Sequence, residues 1–214
     1  MNVAILGGTG KEGAGLALRW AQVGHANIIG SRDADRARGK AVELRERSQK
    51  LAIIGHTNIE AAQLGEVLVV ALPAGGLATT LPELRDAARG KVVVSTVVSL
   101  TFAGPRLFVP PPAGSSAEEV QALLPEARVV AAFHHIAAHE LAETGHEIAC
   151  DLLMCGSDAA AKEVVTALGV SLGLRVIDVG PLTNAGPLEG ITAILSTINR
   201  RYKLKNSGIT ITGL

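Results

Sequence analysis

Short apolar runs alternate with stretches of helical periodicity along most of this chain. Val3–Leu6 is apolar and ends in glycines, and the pattern then predicts a helix over Gly13–Val23. Ala26–Ile29 predicts a second strand. Asp35–Gln49 predicts a charged amphipathic helix with Arg and Glu on its wet face. Leu51–Ile54 reads as a strand and Asn58–Leu64 as a short helix. Val67–Leu72 is wholly apolar, as a parallel strand covered on both faces should be. Pro73 and Gly75-Gly76 end it. Leu77–Ala88 predicts a helix and Lys91–Val94 a strand. Strand and helix in alternation predict an α/β fold with a doubly wound parallel sheet.

The alternation loosens after Leu100. Residues 103–116 hold Gly104, Pro105, three consecutive prolines at 110–112 and Gly114-Ser115-Ser116, and predict a loop. Ser116-Ala117-Glu118-Glu119 fits a capping box opening a helix to about Leu124. Val129–Phe133 and Leu152–Cys155 predict buried strands, Ala159–Leu172 a helix, Arg175–Val179 a strand. Gly180-Pro181 breaks it, and Leu188–Arg201 predicts a long, mostly apolar helix. A soft boundary near residue 128 divides a first domain, 1–128, from a small C-terminal α/β domain, 129–214.

Composition narrows the function. The chain has 214 residues, 48% of them hydrophobic and 19% charged, enough to bury a sizeable core. Lys+Arg and Asp+Glu are 20 each, so no global basic field exists to hold nucleic acid or an anionic membrane. No run reaches about 18 apolar residues, so no membrane span is expected. The first residues read as a strand, not a signal peptide. Cys150 and Cys155 do not make a disulfide framework, and a cytoplasmic setting is the expectation.

Gly8-x-Gly10-x-x-Gly13 follows a strand and opens a helix, the context a dinucleotide fingerprint requires. Gly8 is expected to permit the tight turn, Gly10 the approach of a pyrophosphate, Gly13 the close packing of helix on strand. The helix N-terminus offers free N–H groups to the phosphates. At the end of the second strand stand Gly30-Ser31-Arg32. A hydroxyl and a guanidinium suit a 2′-phosphate where an acid would repel it. Arg36, one helical turn on, closes the clamp, while Asp33 and Asp35 are expected to cap the helix. NADP(H) is therefore expected over NAD(H).

These motifs, with Pro73 after an apolar strand, His134-x-Ile136-x-Ala138, Cys155-Gly156 and Gly180-Pro181-Leu182-x-Asn184, resemble the F420-dependent NADP oxidoreductases over nearly the whole chain. The resemblance implies a Rossmann domain that binds NADP, a C-terminal domain that helps form the deazaflavin site, and a homodimer. It implies NADP contacts at Thr9, Gly10, Lys11, Glu12, Ser31, Arg32 and Arg36, continuing at Leu72, Val98 and Ala138. Pro73 joins them at the C-terminal end of a central strand, where open sheets bind ligands. The acceptor, coenzyme F420, is expected against His134, Ile136, Asn184, Thr192 and Ser207. The chain departs from the family's pattern at Gly186 and Gly190, where an Arg and a Ser are expected, and at Ala74 and Gly76, where an aromatic and a His are expected. A wider, less cationic acceptor pocket follows, with Lys203 and Lys205 as substitute donors to an anionic tail. Alternatives are another flavin or carbonyl acceptor, or a non-catalytic NADP-sensing protein.

His134, His135, His139, Glu143 and His146 have the composition of a metal cluster. Yet His139-Glu140-Leu141-Ala142-Glu143 lacks the second His of a zinc helix motif, and no metal is expected. His134 is expected to position the acceptor. No nucleophile–base pair emerges, and hydride transfer needs none. Leu188, Ile191, Ile194, Leu195 and Ile198 recur at helical spacing and predict a face that a second copy covers.

Overall fold

The computed structural model describes residues 1–47, 51–102 and 107–214. The predicted end of the second helix at Ser48 and Gln49, and Gly104-Pro105 of the predicted loop, lie outside the described residues.

The strands are β1 (Asn2–Leu6), β2 (Ala26–Ser31), β3 (Ile53–Thr57), β4 (Val67–Val70), β5 (Val92–Ser95), β6 (Arg128–Ala131), β7 (Leu152–Gly156) and β8 (Val176–Asp178). They form one sheet in the order β3-β2-β1-β4-β5-β6-β7-β8. The first six are parallel throughout, and β6 meets β7 antiparallel. The order 3-2-1-4-5-6 is that of a Rossmann sheet, whose ligand crevice opens where the strand order reverses, between β1 and β4. β4, β5 and most of β6 are buried, as their valine-rich sequences require.

The helices are α1 (Lys11–Gln22), α2 (Ala34–Glu46), α3 (Asn58–Leu64), α4 (Leu77–Thr80), α5 (Arg85–Ala88), α6 (Ser116–Leu123), α7 (Ala138–Ala142), α8 (Ala159–Ser171) and α9 (Ala185–Tyr202). They cover two cores, one on each face of the sheet. Trp20, Phe133 and Leu168 lie in one, Leu77, Leu81 and Leu188 in the other.

Several boundaries differ from the pattern's prediction for identifiable reasons. Leu77–Ala88 is two short helices joined by a 3₁₀ turn, Leu81–Leu84. Pro82 lacks the N–H and crowds the preceding turn. The cap of α6 is Ser115, whose hydroxyl accepts from the Glu118 N–H at 3.0 Å. Ser116 is already helical. β6 stops two residues before Phe133, which takes φ 67°. α9 begins at Ala185, because Pro187 is tolerated in its first turn.

Candidate functional site

The turn after β1 is built by glycines that have no alternative. The left-handed residue is Gly7, at φ 75°, and not Gly8 as the motif suggests. Gly8 donates to the Ile5 carbonyl at 3.0 Å and the Gly30 carbonyl at 3.1 Å, tying the turn to β2. A Cβ on Gly13 would stand 2.8 Å from the Gly8 Cα, so its role in helix–strand packing is as expected. Gly10 is the N-cap of α1, extended and without a side-chain cap. The first N–H groups of α1 are thus left to a ligand. The sequence reading missed Asn58. Its Oδ1 accepts from the Gly7 N–H at 3.2 Å, and the side chain is buried against Gly30. Its only signal is its place at the start of α3, after the capping box of Thr57 and Glu60.

This turn forms one wall of a cleft of about 660 Å³ running across the carboxyl ends of β2, β1, β4 and β5. Thr9, Gly10, Lys11 and Glu12 line it, as do Ser31, Arg32 and Arg36 at one end and Leu72, Pro73 and Val98 at the other. Gly8 lies beneath the surface and does not line the cleft. Asp33 caps α2, its Oδ1 accepting from the N–H groups of Asp35 at 2.9 Å and Arg36 at 3.2 Å. Asp35 pairs with Arg38 at 2.6 Å. Neither acid competes for the cleft, and among the described residues no acid pairs with Arg32 or Arg36.

A second cavity, about 830 Å³, adjoins the first. The two share Lys11, Glu12, His134 and Thr192. Ile136, Ala138 and Ser207 line the second cavity only, so Ala138 stands on the opposite side of the junction from the other expected nucleotide contacts. Lys11, Lys40, Arg47, Arg200 and Lys205 line it together with Glu12, Glu43 and Glu143, Lys40 being paired with Glu43, so cations outnumber acids in its wall. Lys205 is among them but Lys203 is not; Lys203 closes α9 in the left-handed conformation at φ 55°.

Three expectations about this side are corrected. Asn184 lines neither cavity; it is exposed, and its Nδ2 donates to the Val179 carbonyl at 2.6 Å. Gly186 lies under the Gly114 carbonyl, 3.1 Å from where its Cβ would be. Gly190 faces the ring of Phe108, at 3.7 Å. These two glycines admit neighbouring chain segments and do not widen the acceptor cavity. Gly75 and Gly76 do face open space.

His134 is presented by a strained turn. Phe133 holds φ 67°, costly for a residue with a bulky side chain by about 1–2 kcal/mol. It is fully buried and meets Trp20 edge-to-face at 5.3 Å. The Thr192 hydroxyl donates to the His134 carbonyl at 3.2 Å. Burial and the neighbouring His135 hold the His134 imidazole down at about 3, so it is neutral. His135 is tied through Nε2 to the backbone at Asp151 and Leu153, while His139 and His146 face Glu143 and Glu140. Burial lifts the thiols of Cys150 to about 11 and Cys155 to about 12, which makes both poor nucleophiles.

Glu12 is half-buried at the junction of the two cavities, with one carboxyl oxygen, Oε1, turned inward from solvent. Burial pushes the carboxyl up to about 8, against a weaker pull from the Thr96 hydroxyl.

The sequence profile described as NADP oxidoreductase coenzyme F420-dependent matches residues 2–99. The F420-dependent NADP reductase of Methanocaldococcus jannaschii is 42% identical, the match covering 100% of this chain and 99% of that one. The enzyme of the same name from Methanothermobacter thermautotrophicus is 37% identical over 100% of this chain and 96% of its own. A solved structure from Arthrobacter sp. FB24, provisionally described as an F420-dependent NADP-reductase, superposes with TM-score 0.83 at 26% identity and 98% coverage of both chains. Pyrroline carboxylate reductase from Plasmodium falciparum, solved with NADP bound, shares the fold at TM-score 0.56 and 14% identity, over 95% of this chain and 70% of that one.

Proposed function

This chain belongs to the coenzyme F420-dependent NADP oxidoreductase family, and from that membership we propose that it passes a hydride between NADP(H) and coenzyme F420. One observation carries the reading. A cleft with a helix N-terminus at its centre, and at one end two guanidiniums that no acid among the described residues pairs with, opens at its other end into a second cavity in whose wall cations outnumber acids.

The nicotinamide and the deazaflavin exchange the hydride. The protein supplies orientation and exclusion of water. Ser31, Arg32 and Arg36 take the 2′-phosphate. Thr9, Gly10, Lys11 and the free N–H groups at the start of α1 take the pyrophosphate, and the Glu12 side chain reaches past them toward the nicotinamide. Leu72, Pro73 and Val98 floor the nicotinamide. His134, Ile136, Thr192 and Ser207 receive the deazaflavin, with neutral His134 orienting its ring. Residues 1–128 form the nucleotide half and 129–214 the acceptor half. The test is turnover of NADPH with F420, read from the deazaflavin's visible absorbance, with NADH, flavins and simple ketones as comparisons. Binding of NADPH without turnover of any acceptor would leave a sensing protein instead.

Lys205, exposed after α9 and lining the second cavity, is the donor this reading assigns to the anionic tail of the acceptor. Lys205→Glu should raise KM for F420 by roughly tenfold, about 1.4 kcal/mol, and leave KM for NADPH unchanged. A parallel rise in both would refute that placement.

The enzyme works in the cytoplasm, in keeping with its two free thiols, and as a homodimer through α9. Leu188 and Leu195 are buried within the chain, which narrows the predicted face, but Ile194 is 60% exposed and Ile191 and Ile198 are half-covered beside it. Light scattering at micromolar concentration should give twice the chain mass, and Ile194→Asp should lower it. No helix among the described residues is long and apolar enough to cross a membrane.

A further inference from the structure

Glu12 is out of place in a phosphate-binding turn unless its charge is managed. Its Oε1 is buried and has no hydrogen-bond partner among the described residues. Its neighbour Thr96 has one hydroxyl proton, and that hydroxyl lies 3.2 Å from the Val70 carbonyl. The Val70 carbonyl competes for that proton, so a Glu12 carboxylate has at most one contested donor.

Among the described residues no side-chain cation pairs with a carboxylate at this point. Lys11, on the same helix, is exposed. His134 and His135 are held neutral by burial. His139 faces Glu143 at 3.4 Å, Lys40 pairs with Glu43, and Arg47 donates to the Ala142 carbonyl at 2.8 Å. Arg32 and Arg36 stand at the β2 end, and Arg200 and Lys205 are exposed on the second cavity. Among the described residues none of these forms an ion pair with Glu12.

Position adds the meaning. A dinucleotide on this fold runs from the 2′-phosphate clamp after β2, over the N-terminus of α1, toward β4 and β5. Glu12 reaches Thr96, directly after β5, and lines both cavities. It therefore sits under the nicotinamide half. The two redox forms of the coenzyme differ there by one charge, because the oxidised ring is a cation and the reduced ring is neutral.

We propose that Glu12 is a charge sensor for the nicotinamide, holding its proton beside NADPH and releasing it to solvent when NADP⁺ occupies the same place. The proposal rests on the reading of the cleft as the NADP(H) site. Low local dielectric makes a cation–carboxylate attraction in this wall strong enough to move a proton. The redox state of the bound coenzyme is then coupled to pH through one residue. Rising pH favours NADP⁺ over NADPH on the protein, beyond the proton balance of the reaction itself.

The experiment is calorimetric titration of NADP⁺ and NADPH at about pH 7.5 in two buffers of different ionisation enthalpy, on wild type and Glu12→Gln. If the cation lowers the carboxyl by about one pH unit from about 8, wild type releases about half a proton more with NADP⁺ than with NADPH. The phosphates are common to both nucleotides and cancel in the difference. Glu12→Gln should abolish that difference and flatten the pH dependence of the NADP⁺/NADPH affinity ratio. Equal proton counts in wild type, or a difference that survives in Glu12→Gln, would overturn the proposal. Failure of either nucleotide to bind would instead overturn the cleft assignment. A second readout needs no variant. The infrared difference spectrum between the two complexes should show loss of a protonated-carboxyl band with NADP⁺, and its absence would count equally against the idea.

Stability without nucleotide gives the same sign. A carboxyl that keeps its proton in the fold, but not in the unfolded chain, loses its contribution as pH rises from 4.5 to about 8. Wild type should therefore weaken over that window relative to Glu12→Gln.

Discussion

Arg32→Asp should reverse the nucleotide preference. Wild type is expected to bind NADPH at least a hundredfold more tightly than NADH, because Arg32, Arg36 and the Ser31 hydroxyl converge at the 2′-phosphate end of the cleft. Each charge-assisted hydrogen bond contributes roughly 1.5–3 kcal/mol. Both guanidiniums are exposed, so the lower figure applies to each, and two such bonds give about 3 kcal/mol, or about a hundredfold. The aspartate removes these and adds repulsion toward the phosphate, while offering an acceptor to a free ribose 2′-hydroxyl. Asp33 already caps α2 and is not released by the change. Dissociation constants for both nucleotides on both proteins decide the matter. A wild type indifferent to the 2′-phosphate would sink the assignment.

Gly55→Ala should lower stability by about 3 kcal/mol and weaken NADPH binding with it. Gly55 lies in β3 opposite Ile29, and α2 crosses directly over it. An added Cβ would stand 2.3 Å from the Ala37 carbonyl carbon and oxygen and 2.4 Å from the Arg38 nitrogen. These are backbone atoms, so a rotamer change cannot relieve the clash, and α2 itself must lift. At 2–4 °C per kcal/mol for a domain of this size, the melting temperature should fall by roughly 6–12 °C. Arg36 precedes Ala37 on the same helix, so lifting α2 also displaces half of the phosphate clamp. Gly39→Ala is the control. It lies on α2 with nothing within 4 Å of the added carbon, and should stabilise by about 0.5–1 kcal/mol. If both variants melt together with wild type, β3 and α2 are not packed as described.

The Rossmann half was legible because its signals are local. Val67–Val70 and Val92–Val94 are apolar on every residue, and only a doubly covered strand tolerates that. Gly8-x-Gly10-x-x-Gly13 located the nucleotide turn, although the left-handed residue proved to be Gly7, one place ahead of the motif. Ser31, Arg32 and Arg36 were readable for the same reason, since they follow a strand end and open a helix. The acceptor side was less legible, because its residues meet only through tertiary packing. Nothing local in Gly186 or Gly190 says that the Gly114 carbonyl and the Phe108 ring fill the space above them. Nothing local in Asn184 turns its amide back to Val179. The antiparallel pairing of β6 with β7, which carries the second half onto the same sheet, leaves no mark on either strand's composition. Glu12 was placed at the site by resemblance, but that its Oε1 is buried without a hydrogen-bond partner among the described residues emerges only from the packed walls around it.

The turn at Phe133 has an optical consequence. The chain's one tryptophan, Trp20, is fully buried, donates from its indole nitrogen to the Leu168 carbonyl at 3.2 Å, and lays its ring against Phe133. The residue after Phe133 is His134, which both cavities share. Its emission therefore comes from a single site, and that site is mechanically joined to the junction where the two coenzymes meet. Any shift of that backbone when the acceptor enters is written into the intensity and wavelength of one fluorophore. Acceptor binding can thus be timed in the unlabelled protein by stopped-flow fluorescence, independently of turnover.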